Sequence, residues 1–167
     1  MRAKGFFAAM VMVGMVLAAC GCGGARMENV TEAGMVSVVI NAPPAKVFAF
    51  VSDPQKAEQW TWAKVENPQA QKVGRTVDWT VDVAGMSFKG QTVTVDVVPN
   101  QRIVEQFMGD ADGSNTYLFV PEGAGTRVIL VQQASVDVPR AARKMVVEKN
   151  KETLQEALNK LKAAVEK

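Results

Sequence analysis

Along the middle of the chain, apolar and polar residues alternate with a period of two. Val77, Trp79, Val81 and Val83 are separated by Asp78, Thr80 and Asp82, the pattern of a strand with one buried face. Gly85 marks a hairpin turn into Met86 to Val98, where the apolar parity slips from Met86 and Phe88 to Val93, Val95 and Val97. A slip of one residue around Gly90 is what a β-bulge produces. Pro99-Asn100 then turns the chain into a strand over Arg102 to Met108. Asp110 to Asn115 reads as a polar turn, Thr116 to Val120 as a strand, Glu122 to Gly125 as a turn and Thr126 to Val138 as a long strand. Short strands at this spacing predict a continuous antiparallel meander.

Upstream, Met35 to Ile40 is β-branched and reads as a first strand. Pro43 and Pro44 suit the first turn of a helix, where a missing N–H is harmless, and Val47, Phe48, Phe50 and Val51 give that helix an apolar face. Asp53-Pro54 stops it, and Asp53 is placed to cap a second short helix through Gln59. After Pro139 the period becomes helical. Met145, Val147, Leu154, Leu158, Leu161 and Val165 predict one amphipathic helix of about 27 residues. Its basic residues, Arg140, Arg143 and Lys144 among them, read as a solvated face, with contact to anionic lipid headgroups as the alternative.

Composition removes most familiar chemistries. The 167 residues contain no histidine, and both cysteines, Cys20 and Cys22, precede the globular part. Ser-His-Asp and Cys-His catalysis, structural zinc and His- or Cys-bound haem are thereby excluded from the folded body. Lys+Arg number 19 against 17 Asp+Glu, too even a balance to hold nucleic acid. Asp110-Ala111-Asp112-Gly113 has its glycine misplaced for a calcium loop and is taken as a turn. No metal or cofactor is expected.

The first nineteen residues read as an address. Two basic residues, Arg2 and Lys4, precede an uncharged run from Phe6 to Ala19, too short for the roughly 20 residues that span a bilayer. This is the form of a secretory signal. Its end, Leu17-Ala18-Ala19-Cys20, resembles the bacterial lipoprotein signal, which implies cleavage before Cys20 and lipidation of its thiol. Residues 20–33 then form a tether and 34–167 the domain. Gly21 stands where such lipoproteins carry an aspartate for inner-membrane retention, which implies the outer membrane, facing the periplasm, in a two-membrane host. Cleavage removes Arg2 and Lys4 and leaves 17 basic against 17 acidic side chains.

The order of strand, two short helices, six antiparallel strands and long helix resembles the START-like superfamily, also called the SRPBCC or polyketide cyclase/dehydrase-like group. The residues that carry the resemblance are Ile40-Asn-Ala-Pro43-Pro44-Ala-Lys-Val47-Phe48-Ala-Phe50-Val51-Ser-Asp53-Pro54 with Trp60 downstream, and Pro99-Asn-Gln-Arg102-Ile103-Val104. It implies an α+β helix-grip fold, a curved antiparallel sheet wrapped around the C-terminal helix, with an apolar cavity between them. Candidate lining residues are Trp62, Val77, Trp79, Val81, Phe88, Phe107, Tyr117, Phe119, Leu130, Met145 and Leu154; any one of them taken alone reads as core, and the resemblance implies a cavity for the group. Trp60 reads as packing where the short helices meet the sheet.

Glu105 shares parity with Ile103 and Phe107, which points it inward as a candidate acid or base. A shifted register, a rim position, or pairing with Arg102 or Arg127 are the alternatives, and no second convergent acid or base is visible. The leading expectation is a membrane-anchored protein of the bacterial envelope that binds a small hydrophobic molecule or lipid. A cyclase/dehydrase-like enzyme assisted by Glu105 or Tyr117, and an interaction module with a filled cavity, are the other two.

Overall fold

The computed structural model describes the backbone of residues 27–167 and, Pro54 apart, the side chains from Gly34 onward. The segment read as a signal peptide, with Cys20 and Cys22, lies outside the described residues. Strand β1 (Met27–Ile40) leads into helix α1 (Pro44–Ser52) and a 3-10 helix (Pro54–Gln59), then β2 (Lys64–Glu66), β3 (Thr76–Val83), β4 (Met86–Val98), β5 (Arg102–Gly109), β6 (Ala111–Glu122) and β7 (Gly125–Pro139). A short 3-10 turn (Arg140–Ala142) precedes helix α2 (Arg143–Val165). The seven strands form one antiparallel sheet in the order β1-β7-β6-β5-β4-β3-β2, curled around α2 as the helix-grip fold requires.

Local chemistry explains the element ends. Pro44 sits at the start of α1, and the Asp53 carboxylate accepts from the Gln55 backbone N–H at 3.0 Å to cap the 3-10 helix. Ala84 and Gly85 turn β3 into β4 with φ of 54° and 78°, the left-handed pair that a two-residue hairpin needs. Asp110 Oδ2 accepts from Lys89 N and Asp112 Oδ1 from Gly109 N, closing the β5–β6 connection.

Three expectations are corrected. The bulge lies at Val95, between the pairs Thr94–Glu105 and Asp96–Val104, and not at Gly90. Gly90 is required by close approach, since a Cβ there would lie 2.2 Å from the Met108 carbonyl oxygen and 2.5 Å from the Trp79 ring. The stretch expected as a polar turn is mostly strand, because β6 begins at Ala111 and pairs Gly113 with Phe107 and Ala134. The tether expected through Ala33 is strand from Met27, paired residue by residue with β7 out to Pro139. An edge strand satisfies its backbone through one neighbour and needs no apolar run.

The core is divided. The larger cluster joins Ile40, Val47, Val51, Trp60, Ile103, Tyr117, Phe119, Val128 and Leu130 to Leu154, Leu158, Leu161 and Val165 of α2. A smaller one, with only Val83, Val138 and Val146 buried, joins the β3–β4 hairpin to the end of β7 and the start of α2. The cavity lies between sheet and helix, bordered by both.

Candidate functional site: a cavity with a polar wall

The sheet and the first half of α2 enclose a cavity of about 170 Å³, similar to the roughly 150 Å³ apolar cavity that suffices for benzene. All three tryptophans of the chain, Trp60, Trp62 and Trp79, line it. Trp60 packs edge-on to Tyr117 and Trp79 edge-on to Phe107, with ring centroids 6.1 Å apart in each pair. These edge-to-face contacts hold large rings in fixed orientations.

Of the eleven residues expected to line a cavity, seven do: Trp62, Val77, Trp79, Val81, Phe88, Phe107 and Tyr117. Phe119, Leu130 and Leu154 are buried instead in the larger core cluster, where α1 and the second half of α2 fill the space above the sheet. Met145 is 46% exposed. The helical stripe runs through Val146 and Asn150, and Asn150 interrupts its apolar pattern because it faces the cavity.

Glu105 points inward and is buried, but its partner is Arg75. Arg75 Nη1 donates to Glu105 Oε1 at 2.9 Å with both side chains buried. Arg102 pairs with Asp96 and Arg127 with Glu122, both on the exposed surface. Gln71 and Thr94 complete the group. Gln71 Nε2 donates to Glu105 Oε1 at 2.9 Å, while Gln71 Oε1 accepts from Arg75 at 3.1 Å and from Thr94 at 2.9 Å. Backbone pairing of Gly74 and Arg75 with Thr94 fixes Arg75 at the head of β3. Losing either member of such a buried pair costs about 3–5 kcal/mol, because the other is left charged and uncompensated.

A second polar series crosses from helix to sheet. Asn150 Nδ2 donates to Gln132 Oε1 at 2.7 Å, and Gln132 Nε2 donates to Asn115 Oδ1 at 3.0 Å. All three residues line the cavity. Beside them, burial raises the Tyr117 phenol well above 10.0, the Glu105 charge adds to this, and Arg75 opposes it. Tyr117 is therefore a neutral donor at physiological pH. Four buried polar atoms have no partner among the described residues: Ser52 Oγ, Trp60 Nε1, Arg75 Nε and Trp79 Nε1. All four residues line this cavity, so the orphaned groups gather at one place.

Arg75, Thr92, Asn115, Gln132 and Asn150 were absent from the residues expected at the site. Parity could have found the three on strands and Arg75, which immediately precedes β3. Arg75 lies two residues before Val77, Asn115 two before Tyr117, Gln132 two after Leu130 and Thr92 two before the buried Thr94. Among the described residues no group of His, Cys, Asp and Glu side chains could hold a metal ion.

Comparison with known proteins agrees with the fold. Protein TTHA0849 from Thermus thermophilus superposes with a TM-score of 0.68 at 21% identity, over 80% of this chain and 97% of that one. The Zhui aromatase/cyclase from Streptomyces sp. R1128 gives 0.64 at 19% identity, over 84% and 94%. Protein CV1439 from Chromobacterium violaceum gives 0.63 at 23%, over 81% and 97%. No curated protein matches the sequence. The model of the family described as polyketide cyclase / dehydrase and lipid transport matches residues 33–166, nearly the whole described fold, and the chain belongs to that family.

Proposed function

We propose that the domain binds a small hydrophobic molecule in its cavity and is held at a bacterial membrane by lipid on Cys20. The observation that carries the binding reading is the cavity of about 170 Å³ walled by three tryptophans, Phe88, Phe107 and Tyr117. Apolar enclosure with a few placed polar groups is the usual construction of a ligand site. The volume favours a molecule of one or two rings over a full lipid, whose acyl chains would not be enclosed. Native mass spectrometry of the protein purified from membranes tests this. A bound mass lost on denaturation is expected, and a wholly ligand-free protein that also fails to bind one- and two-ring hydrocarbons would reject it.

Support for the anchor comes from Leu17-Ala18-Ala19-Cys20. Seven residues from Cys20 to Met27, where β1 begins, reach at most about 25 Å, which would hold the domain close to the bilayer. Cys20→Ala is expected to abolish palmitate labelling and release the protein from the membrane fraction. Unchanged labelling would remove the anchor from the proposal.

A second reading, a cyclase-like catalyst, is favoured by one observation: Glu105 and the protonated Tyr117 face the same cavity. In that reading Glu105 takes a proton and Tyr117 polarises a carbonyl. Tyr117→Phe would then abolish turnover while leaving ligand affinity nearly unchanged, whereas a binding protein has no turnover to lose.

A further inference from the structure

We infer that the polar wall selects a neutral, ring-sized molecule bearing a hydroxyl group, which donates to Glu105 and accepts from Asn115, and that it turns carboxylates away. The inference rests on the cavity-binding reading and names the chemistry of its ligand.

The charged side chains that line the cavity are Asp53, Arg75 and Glu105, and each is already engaged. Asp53 caps the 3-10 helix and pairs with Lys56. Arg75 is neutralised by Glu105. A ligand carboxylate therefore meets a guanidinium whose charge is already balanced, although its Nε hydrogen is unpartnered, and it enters beside two carboxylates. A ligand cation meets the Arg75 guanidinium. Bringing either charge out of water without a partner is strongly unfavourable, so a neutral molecule fits best.

Among neutral molecules the wall prefers one that can both donate and accept. Gln71 and Arg75 both donate to Glu105 Oε1, which leaves Oε2 as the acceptor that this cavity-lining side chain can offer. Directly across the β5–β6 ladder from Glu105 stands Asn115. The amide series runs one way, from Asn150 to Gln132 to Asn115, so its last free donor is Asn115 Nδ2. An acceptor and a donor thus stand side by side at one point of the polar wall, facing an aromatic and aliphatic remainder. A hydroxyl satisfies both at once, an ether only the donor, and a hydrocarbon neither. Hydrogen bonds to a charged acceptor are the stronger kind, so loss of the hydroxyl hydrogen weakens binding about tenfold or more.

The test uses single-ring probes that differ in one group: 4-ethylphenol, 4-ethylanisole, 4-ethylbenzoate and ethylbenzene. Binding to the full chain in detergent micelles is followed by tryptophan emission, with empty micelles as blank. The expected order is 4-ethylphenol first, 4-ethylanisole and ethylbenzene about tenfold weaker or more, and 4-ethylbenzoate without detectable binding. Glu105→Gln, which turns a donor toward the cavity, is expected to erase the preference for the phenol over the anisole. The probe series on the unaltered chain decides the matter even where that variant folds poorly. Benzoate binding as tightly as the phenol overturns the inference, as does equal binding of phenol and anisole. If ethylbenzene binds with no preference among the neutral probes, the inference fails while the cavity reading stands. If none of the four binds, both fail.

Discussion

The two halves of α2 rest on different foundations. From Leu154 onward, Leu154, Ala157, Leu158, Leu161 and Val165 are each no more than 2% exposed, and all but Ala157 belong to the large cluster with β1, α1 and the centre of the sheet. The C-terminal end is also tied down by polar contacts. Glu166 Oε1 accepts from Asn41 N and from Lys162 Nζ, and Lys162 also donates to the Val39 carbonyl. From Arg143 to Asn150 only Val146 is buried, and it packs in the small cluster. That first turn has no capping side chain and no acidic residue, so it lacks two common sources of stabilisation at a helix start. One half of the helix holds the fold together, and the other forms a wall of the cavity. A wall that must admit a molecule cannot be packed as tightly as a core, so local opening belongs at the start of α2.

The largest expected effect breaks the well-packed half. Leu158→Ala empties a fully buried position and is expected to lower stability by about 3 kcal/mol, read as a shift of the denaturant midpoint. Val146→Ala should cost about 1 kcal/mol, because its cluster is small and most of the residues around it are only partly buried. Amide exchange adds a finer reading: amides of residues 143–150 in the unaltered protein should exchange through openings well below the global unfolding free energy, and those of 154–165 near it. Equal protection along the helix would show that the two halves open as one unit.

The same division explains what was legible in the sequence. Element order, the antiparallel meander and the C-terminal half of α2 followed from apolar periodicity, because those faces meet a dry core. The polar part of the cavity wall did not. In β4 the inward positions before the bulge are Phe88, Gly90, Thr92 and Thr94, while Val93 and Val95 face outward. A reading that follows apolar residues therefore takes the wrong face there and places the bulge five residues early. Along α2, Asn150 breaks the stripe, and Met145 then looks like a substitute for Val146. Arg75 was missed for the same reason: it continues the inward parity of Val77 and Trp79 but is charged. Where β4, β6, β7 and α2 border the cavity, Thr92, Asn115, Gln132 and Asn150 put polar side chains at inward positions, so the residues that give the site its chemistry are those that weaken the periodic signal.

A smaller effect sharpens the comparison at the start of α2. Met145 is exposed in the first turn and lies four residues before Lys149. Met145→Glu places a negative charge at the positive end of the helix and in ion-pair spacing with that lysine, worth about 0.5 kcal/mol of added stability. Probe affinity should be unchanged, since Met145 does not line the cavity. A variant with weakened binding would return Met145 to the cavity wall.

The smallest effect tests the other end. The backbone N–H of Asn41, and after it the Lys162 ammonium, hold the Glu166 carboxyl below its ordinary value of 4.5. A carboxyl lowered in the folded state adds stability above its unfolded pKa and loses it as pH falls through the folded value. Its contribution is thus present at neutral pH and disappears in acid, from just above pH 4.5 downward. Glu166→Gln should lower the melting temperature slightly at about pH 7, and that difference should shrink toward zero as the pH is taken to about 3. A difference that stays constant over this range would mean that the tie to Asn41 acts through shape and not through charge, and that the C-terminal half of α2 owes its firmness to its leucines alone.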